Sequence, residues 1–379
     1  MRAEFLFPTR ILFGEGTLGE LPAALSAMGW SRPLLITDRG LTRTSIPDRL
    51  ERLLADAGIA YATFAEVDPN PSDAQVEAGT AAFRDHRADV IVALGGGSPM
   101  DAGKAIQIRV EHHEPLEAYD DLKGGDAKIT GTLPPLVAVP TTAGTGSEVS
   151  RSAVITVAAA GRKVVLFSNR LMPALAICDP TLTYELPPRI TAETGMDALS
   201  HSIEAYLAKG YHPMADGIAL EAMRMVAENL PRAAANGEDA PARREMMAAA
   251  TMGAVAFQKG LGVIHSLAHP LSSVCGISHG LANALLMPHA LRFNATVVPD
   301  RVGDIARALG AAEITGEGAA QAVEALLERL GINQRLTDAG ACAAHLAPLV
   351  DKAMEDGCHG ANPRRCSSQD MEALLKSAW

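Results

Sequence analysis

At Pro187-Pro188 the chain changes texture, and that change constrains its architecture more than any other feature. Before it, short apolar and β-branched runs (PLLITD, DVIVALGGGS, LVAVPTT, ALAICDP) alternate with helical segments, each run ending in a turn or a Gly-rich stretch. Several runs are nearly continuous in apolar residues, as strands buried on both faces should be, which predicts a mostly parallel α/β sheet. Segment 152–169, SAVITVAAAGRKVVLFSN, differs: two alternating runs flank Ala-Gly and predict a β-hairpin. After the prolines come Ala/Leu/Met/Glu-rich segments separated by Gly and Pro, at 191–208, 214–234, 241–259, 278–292, 299–309, 317–330, 341–356 and 367–378. A chain of 379 residues is too long for one ordinary core. The reading is two domains, an α/β domain over 1–185 and an all-helical domain over 186–379.

A formal net charge of −11 offers no basic field for phosphates, which argues against nucleic acid and anionic membranes as partners. The five cysteines (Cys178, Cys275, Cys342, Cys358, Cys366) are odd in number and scattered, implying neither a disulfide framework nor a structural zinc site. No stretch reaches the roughly 18 apolar residues of a membrane helix, and MRAEFLFPTRILFGEG lacks the apolar core of a signal peptide. A cytoplasmic protein is expected.

DVIVALGGGSPMDAGKAI places Gly95, Gly96, Gly97 and Ser98 between a buried strand and a helix, with Pro99 expected at the first helical position. Glycines let the backbone approach an anion, and a helix N-terminus offers unpaired N–H groups, so a pyrophosphate would sit well there. The plain alternative is a tight strand-to-helix turn. Asp38 closes the strand of LLITDRG, where a carboxylate could bind both ribose hydroxyls and repel a 2′-phosphate, favouring NAD; it could equally cap a turn. This acid precedes the glycines, the reverse of the ordinary dinucleotide fingerprint. A third turn, VPTTAGTGSEVS, gathers Thr141, Thr142, Thr145 and Ser147, hydroxyls suited to a dinucleotide or simply to a polar loop.

TAETGMDALSHSIEAYLAKG predicts a helix capped by Thr191, with Asp197 and His201 one turn apart on one face. GVIHSLAHPLSSVCGISHG then carries His265, His269 and His279 among apolar or small residues, where solvated surface is a poor explanation. One carboxylate and imidazoles suit Fe(II) or Zn(II). Spacing alone pairs His265 with His269 on a helical face, but Pro270 disfavours helix at the residue before it and could redirect His269. The fourth ligand is thus either His269 or His279.

GGGSPMD at 95–101, PTTAGTGSEV at 140–149, MDALSHSIEAY at 196–206 and HSLAHPLSSVCGISHG at 265–280 resemble the iron-containing, or group III, alcohol dehydrogenases, and the resemblance spans essentially the whole chain. It implies a Rossmann-like N-terminal domain that binds the dinucleotide, a helical metal-binding and catalytic domain (the dehydroquinate synthase-like fold), and an active site in the cleft between them. It makes Asp197, His201, His265 and His279 the metal ligands, with Fe2+ expected and Zn2+ an alternative, and puts His269 near the nicotinamide as the candidate catalytic proton relay. It puts Asp38 and Asn70 on the adenosine side, Gly96, Gly97 and Ser98 at the pyrophosphate, and Thr141, Thr142 and Lys163 along the cofactor; Asp101, Thr145 and Ser147 complete the cofactor set. The implied activity is reversible hydride transfer between a small primary alcohol and NAD. Arg151, Phe257 and Lys259 are the candidate substrate residues, and a cation at 151 or 259 would receive an acidic group on the substrate. A homodimer or higher homo-oligomer is expected. The alternatives are a metal- and NAD-using cyclising lyase of the 3-dehydroquinate synthase type, whose motifs are not found, a metallohydrolase, which leaves Asp38 and the glycines unexplained, and a non-catalytic binding protein.

Overall fold

The computed structural model describes residues 5–7 and 10–379. One sheet holds β1 (Arg10–Phe13), β2 (Pro33–Asp38), β3 (Ala62–Val67), β4 (Val90–Gly95), β5 (Leu136–Pro140) and β8 (Leu175–Cys178); β6 (Ser152–Val157) and β7 (Arg162–Phe167) form the expected antiparallel hairpin. The large sheet is parallel throughout, in the order β1-β8-β5-β4-β2-β3. β4, β5 and β8 are buried at every residue, which is why their sequences run apolar without alternating. Leu34, Ile36, Ile91 and Ala93 join one core, while Leu35, Val90, Val92 and Leu94 join another, so both sides of the sheet are covered.

The topology positions a binding crevice. From β2 the chain crosses to β3 on one side and then to β4 on the other, so the carboxyl ends of β2 and β4 flank a topological switch point, where open α/β sheets bind ligands. Asp38 ends β2 and Gly95 ends β4. That adjacency explains the inverted order of acid and glycines, because the glycine turn follows β4 and the acid the neighbouring β2.

The second compact unit comprises Tyr184–Trp379 together with Ala143–Gly146 and residues 5–7; the first is otherwise continuous through Thr183. Its central helix, Pro188–Leu207, is buried nearly all round from Thr191 onward and packs against Pro213–Ala235, Ala240–Ala256 and His279–Ala295. This helix starts earlier than the sequence suggests. Pro187 is its N-cap and Pro188 opens it, because proline at the first position gives up an N–H that has no partner there anyway. Thr191 is therefore not the cap; its Oγ accepts from buried Arg243 Nη1 at 2.8 Å. Gly146 (φ +61°) shows why a short loop joins the helices: a Cβ there would stand 2.0 Å from Ala254 Cβ. Among the described residues no single helix is long and apolar enough to cross a membrane.

Candidate active site

In the α/β unit Asp38, Gly96, Thr141 and Thr142 lie at or just after the carboxyl ends of β2, β4 and β5, while Ser98 and Asp101 lie in the helix after β4 and Lys163 in β7. Asp38 Oδ1 accepts from Gly40 and Leu41 N–H, each at 2.8 Å, so one oxygen caps its own turn. A Cβ at Gly95 (φ +145°) would stand 3.1 Å from Asp38 Oδ2 and 2.7 Å from Pro99 Cγ, so only glycine lets the turn pass so close. The helix begins at Gly97, not at Pro99, and its N-cap Gly96 supplies no side-chain bond. Pro99 is tolerated because first-turn N–H groups have no intrahelical acceptor. Gly97 and Ser98 thus offer backbone donors to an anion.

Thr141 is buried and Thr142 half-buried, the latter 3.5 Å from where a Gly96 Cβ would be. Thr145 groups with the helical unit. Lys163 Nζ donates to Asn70 Oδ1 at 2.7 Å, joining two predicted cofactor residues; burial lowers the lysine's pKa. Asn70 sits at φ +59°, a conformation asparagine tolerates. Ser147 Oγ donates to Asp101 Oδ1 at 2.9 Å, and Val154 N–H donates to Asp101 Oδ2 at 3.1 Å. Beneath them fully buried Lys104 donates to Ser147 O and Oγ at 2.8 Å and to Ser152 O at 2.9 Å. Burial lowers its pKa to about 8, against the opposing pull of Asp101 and Glu148. Asp101 and Ser147 therefore brace the loop after β5.

In the helical unit Asp197 and His201 come from Pro188–Leu207, His265 and His269 from Val263–Cys275, and His279 opens His279–Ala295. Pro270 does not end its helix, which continues to Cys275 with Ile264, Leu267, Ala268, Pro270 and Leu271 buried; core packing outweighs the lost N–H bond. Donor atoms of Asp197, His265 and His279 lie within 4.8 Å of one another. Asp197 Oδ1 is 3.5 Å from His279 Nε2, 3.7 Å from His201 Nε2 and 3.9 Å from His265 Nε2. These separations are long for hydrogen bonds, and His265 Nε2 is buried with no hydrogen-bond partner. His201 stands beside this trio, its ring stacked on His265 with centroids 4.9 Å apart.

The electrostatics suit a cation. Burial lowers the His201 pKa to about 4 and holds His279 well below its ordinary value, leaving neutral imidazoles; His279 Nε2 lies 3.2 Å from Asn283 Nδ2. Burial alone would raise Asp197, but His201, His279 and His265 beside it and the Asn283 hydrogen bond lower it instead, so the carboxylate stays charged. At His265 burial opposes protonation and the Glu204 carboxylate outweighs it, raising the pKa, so a metal bound there would displace a proton. A buried carboxylate, converging imidazoles and an orphaned Nε2 fit a divalent metal.

His269 belongs to a separate group with Asp356 and Cys358. Its Nδ1 lies 2.7 Å from Asp356 Oδ2, while Ser266 Oγ and Cys358 N–H donate to Asp356 Oδ1 at 2.8 and 2.9 Å. Burial would raise Asp356, yet His269 and these donors hold it well below the usual carboxylate range. Phe257 meets the His201 ring edge-on at 5.0 Å. Lys259 turns inward: its side chain is 3% exposed, and Nζ donates to Asp216 Oδ1 at 2.5 Å and Tyr206 O at 3.0 Å. Arg151 Nη1 donates to Asn169 Oδ1 at 2.6 Å, with its guanidinium 4.6 Å above Phe167. Both candidate substrate cations thus have partners within the chain.

Three polar residues, Asn283 and Glu204 buried and Asp356 half-buried, carry contacts that the sequence alone does not assign. Asn283 Nδ2 donates to Asp197 Oδ1 at 2.7 Å, and Glu204 Oε2 lies 2.6 Å from His265 Nδ1. Their signals are helical spacing, Asn283 one turn after His279 and Glu204 seven residues after Asp197. Asp356 reaches His269 across 87 residues and carries no such signal.

A switch-point crevice on a parallel sheet and a cluster of carboxylate and imidazoles suited to a cation point to a metal- and dinucleotide-dependent enzyme. Residues 8–180 match the family model described as iron-containing alcohol dehydrogenase, and 191–379 match that of the Fe-containing alcohol dehydrogenase family, C-terminal. The chain is 41% identical to the 4-hydroxybutyrate dehydrogenase of Cupriavidus necator, covering 98% of each chain. It is similar to a crystal structure of 1,3-propanediol oxidoreductase (TM-score 0.96, 37% identity, all of both chains covered). It is also similar to the sulfoacetaldehyde reductase of Bifidobacterium kashiwanohense, solved with NAD+ (TM-score 0.89, 30% identity, covering 100% of this chain and 99% of that one).

The chain belongs to the iron-containing alcohol dehydrogenase family. It is an NAD-linked, metal-dependent oxidoreductase of alcohols, and these relatives give the cyclising-lyase alternative no support.

Proposed function

We propose that the enzyme carries out reversible hydride transfer between a small primary alcohol and NAD, with 1–185 holding the nucleotide and 186–379 holding Fe2+, or Zn2+ in its place, through Asp197, His201, His265 and His279. The observation that carries this is the convergence of Asp197, His265 and His279 within 4.8 Å around a buried, unpartnered His265 Nε2. A divalent cation held there would supply Lewis-acid chemistry, lowering the pKa of an alcohol and polarising an aldehyde carbonyl. Asp197 contributes the charge and the imidazoles contribute lone pairs. Because Asp356 is held ionised, His269 Nδ1 donates to it, which leaves Nε2 to take the alcohol proton and return it in the reverse direction. Asp38 Oδ2 is offered to the adenosine ribose, with Asn70 and Lys163 on the same side, and the first turn of Gly97–Glu111 to the pyrophosphate. Thr141, Thr142 and Thr145 would lie along the nicotinamide end, with Asp101 and Ser147 bracing them.

The similarity to a 4-hydroxybutyrate dehydrogenase and a sulfoacetaldehyde reductase supports an ω-hydroxy acid substrate, and Arg151 is the cation best placed by chemistry to receive its charge, since Lys259 is buried against Asp216. Phe257 would line the substrate side. The free state of all five cysteines supports a cytoplasmic location, and β1 as a sheet edge supports a homodimer or higher oligomer, which sedimentation would establish. The test of substrate is absorbance at 340 nm after anaerobic reconstitution with Fe2+. Higher kcat/KM for 4-hydroxybutyrate than for 1-butanol is expected, with the preference reduced by Arg151→Ala. Equal values for the two alcohols, unmoved by that substitution, would remove the acidic-substrate reading.

A further inference from the structure

Glu204 is a buried carboxylate, 3% exposed, and among the described residues no lysine or arginine pairs with it. A charge in that position is costly unless its oxygens are satisfied. Both are: Oε1 accepts from Ile264 N–H at 2.6 Å, and Oε2 lies 2.6 Å from His265 Nδ1. The first contact serves the start of helix Val263–Cys275, whose N-cap Gly262 has no side chain with which to cap it. Asn362 Oδ1 supplies the neighbouring acceptor, to Val263 N–H at 3.3 Å. Gly262 is required for this borrowed cap, because a Cβ there would stand 2.9 Å from Glu204 Oε1 and 2.8 Å from Asn362 Oδ1. The second contact fixes chemistry. A carboxylate can only accept, so Nδ1 of His265 must carry its hydrogen, and the lone pair is left on Nε2, the atom that faces Asp197.

We propose that Glu204 is a positioning residue of the metal centre: it sets the tautomer and ring orientation of His265 and pins the helix that carries it to the helix that carries Asp197 and His201. This rests on the reading of Asp197, His201, His265 and His279 as metal ligands. Glu204 lies three residues after His201 and seven after Asp197, so one helical stripe presents two ligands and the carboxylate that orients a third. Carboxylates hydrogen-bonded to ligating imidazoles in this way raise ligand basicity and hold the ring, and their loss weakens metal binding by about 10- to 100-fold.

The test is Glu204→Gln in the full chain loaded anaerobically with Fe2+ or with Zn2+, followed by release of the metal to a chromophoric chelator. Glutamine keeps the size but offers one acceptor oxygen to two N–H donors. Release about 10- to 100-fold faster than from the parent is expected, with NAD affinity unchanged. A purely structural role would lower the unfolding midpoint of chelator-treated protein without changing the release rate. Should Glu204→Gln not fold, Glu204→Asp, which keeps the charge but withdraws it by one methylene, reads the same quantity and is expected to release metal faster. A folded variant that releases metal at the parent rate overturns the proposal. Asp197→Ala, measured alongside, separates the two levels. If it too retains metal, the ligand reading fails; if it loses metal while Glu204→Gln does not, only the role of Glu204 fails.

Discussion

The two units arrange their candidate residues in opposite ways. In the α/β unit most sit at or just after the carboxyl ends of strands, and much of what they offer is backbone: the first-turn N–H groups after Gly96 and the close approach allowed at Gly95. In the helical unit the metal candidates are side chains of helices, with Asp197, His201 and His265 buried and His279 half-buried, and their marks are unsatisfied or strongly shifted atoms such as His265 Nε2 and the His201 imidazole. A nucleotide is large and can be gripped by loops whose own hydrogen bonds are already complete. A cation needs several donors on one point, which rigid helices fix more closely than loops do. Substitutions in the two units should therefore fail in different ways.

The largest effect is expected from Asp197→Ala, which removes the only carboxylate of the ligand cluster: metal content by mass spectrometry should fall below one tenth of stoichiometric, as an at least ~100-fold loss of affinity implies, and turnover should fall with it. NAD binding, followed by quenching of protein fluorescence, should persist, because that binding is assigned to the other unit. His269→Ala should keep the metal and lower kcat by roughly 10²-fold or more, the scale of a lost general acid–base group. Loss of metal in that variant would return His269 to the ligands. Asp38→Gly should leave metal content untouched and shift the NAD:NADP preference by about tenfold, as expected for one charged hydrogen-bonding group. An unchanged ratio of kcat/KM values for the two cofactors would remove Asp38 from the ribose.

The smallest effect concerns pH. The His201 pKa is lowered by burial from 6.5 to about 4, so between these values the unfolded chain binds a proton that the folded chain refuses. The contribution to stability is fully present above pH 6.5 and is lost as pH falls through the folded value of about 4. Urea midpoints of chelator-treated protein should decline across that window, and His201→Gln should decline less. Parallel curves for the two proteins would contradict the assignment.

Much of this was legible in the chain. The central strands announce their double burial through uninterrupted apolar runs, and the hairpin through alternation around Ala-Gly. Asp197 with His201, and His265 with His269, read directly as helical spacing. What stayed hidden depends on distant packing. Pro270 inside a helix and Thr191 as an acceptor for Arg243, not a cap, reflect tertiary contacts that override local preference. Lys259 looks like a free cation until Asp216 is placed beside it, and Asp356 finds His269 only in the folded chain. The order of Asp38 before the glycines makes sense only once β2 and β4 are known to be neighbours.

The central claim is that a metal held in the helical unit is indispensable to NAD-linked alcohol oxidation by this chain. The direct measurement is NADH formation at 340 nm by the wild-type protein as purified anaerobically, after removal of metal by a chelator, and after return of Fe2+, with metal content determined at each stage. The account predicts activity that disappears with the metal and returns in proportion to the Fe2+ regained, while NAD stays bound throughout. Undiminished turnover by protein stripped of its metal would contradict it.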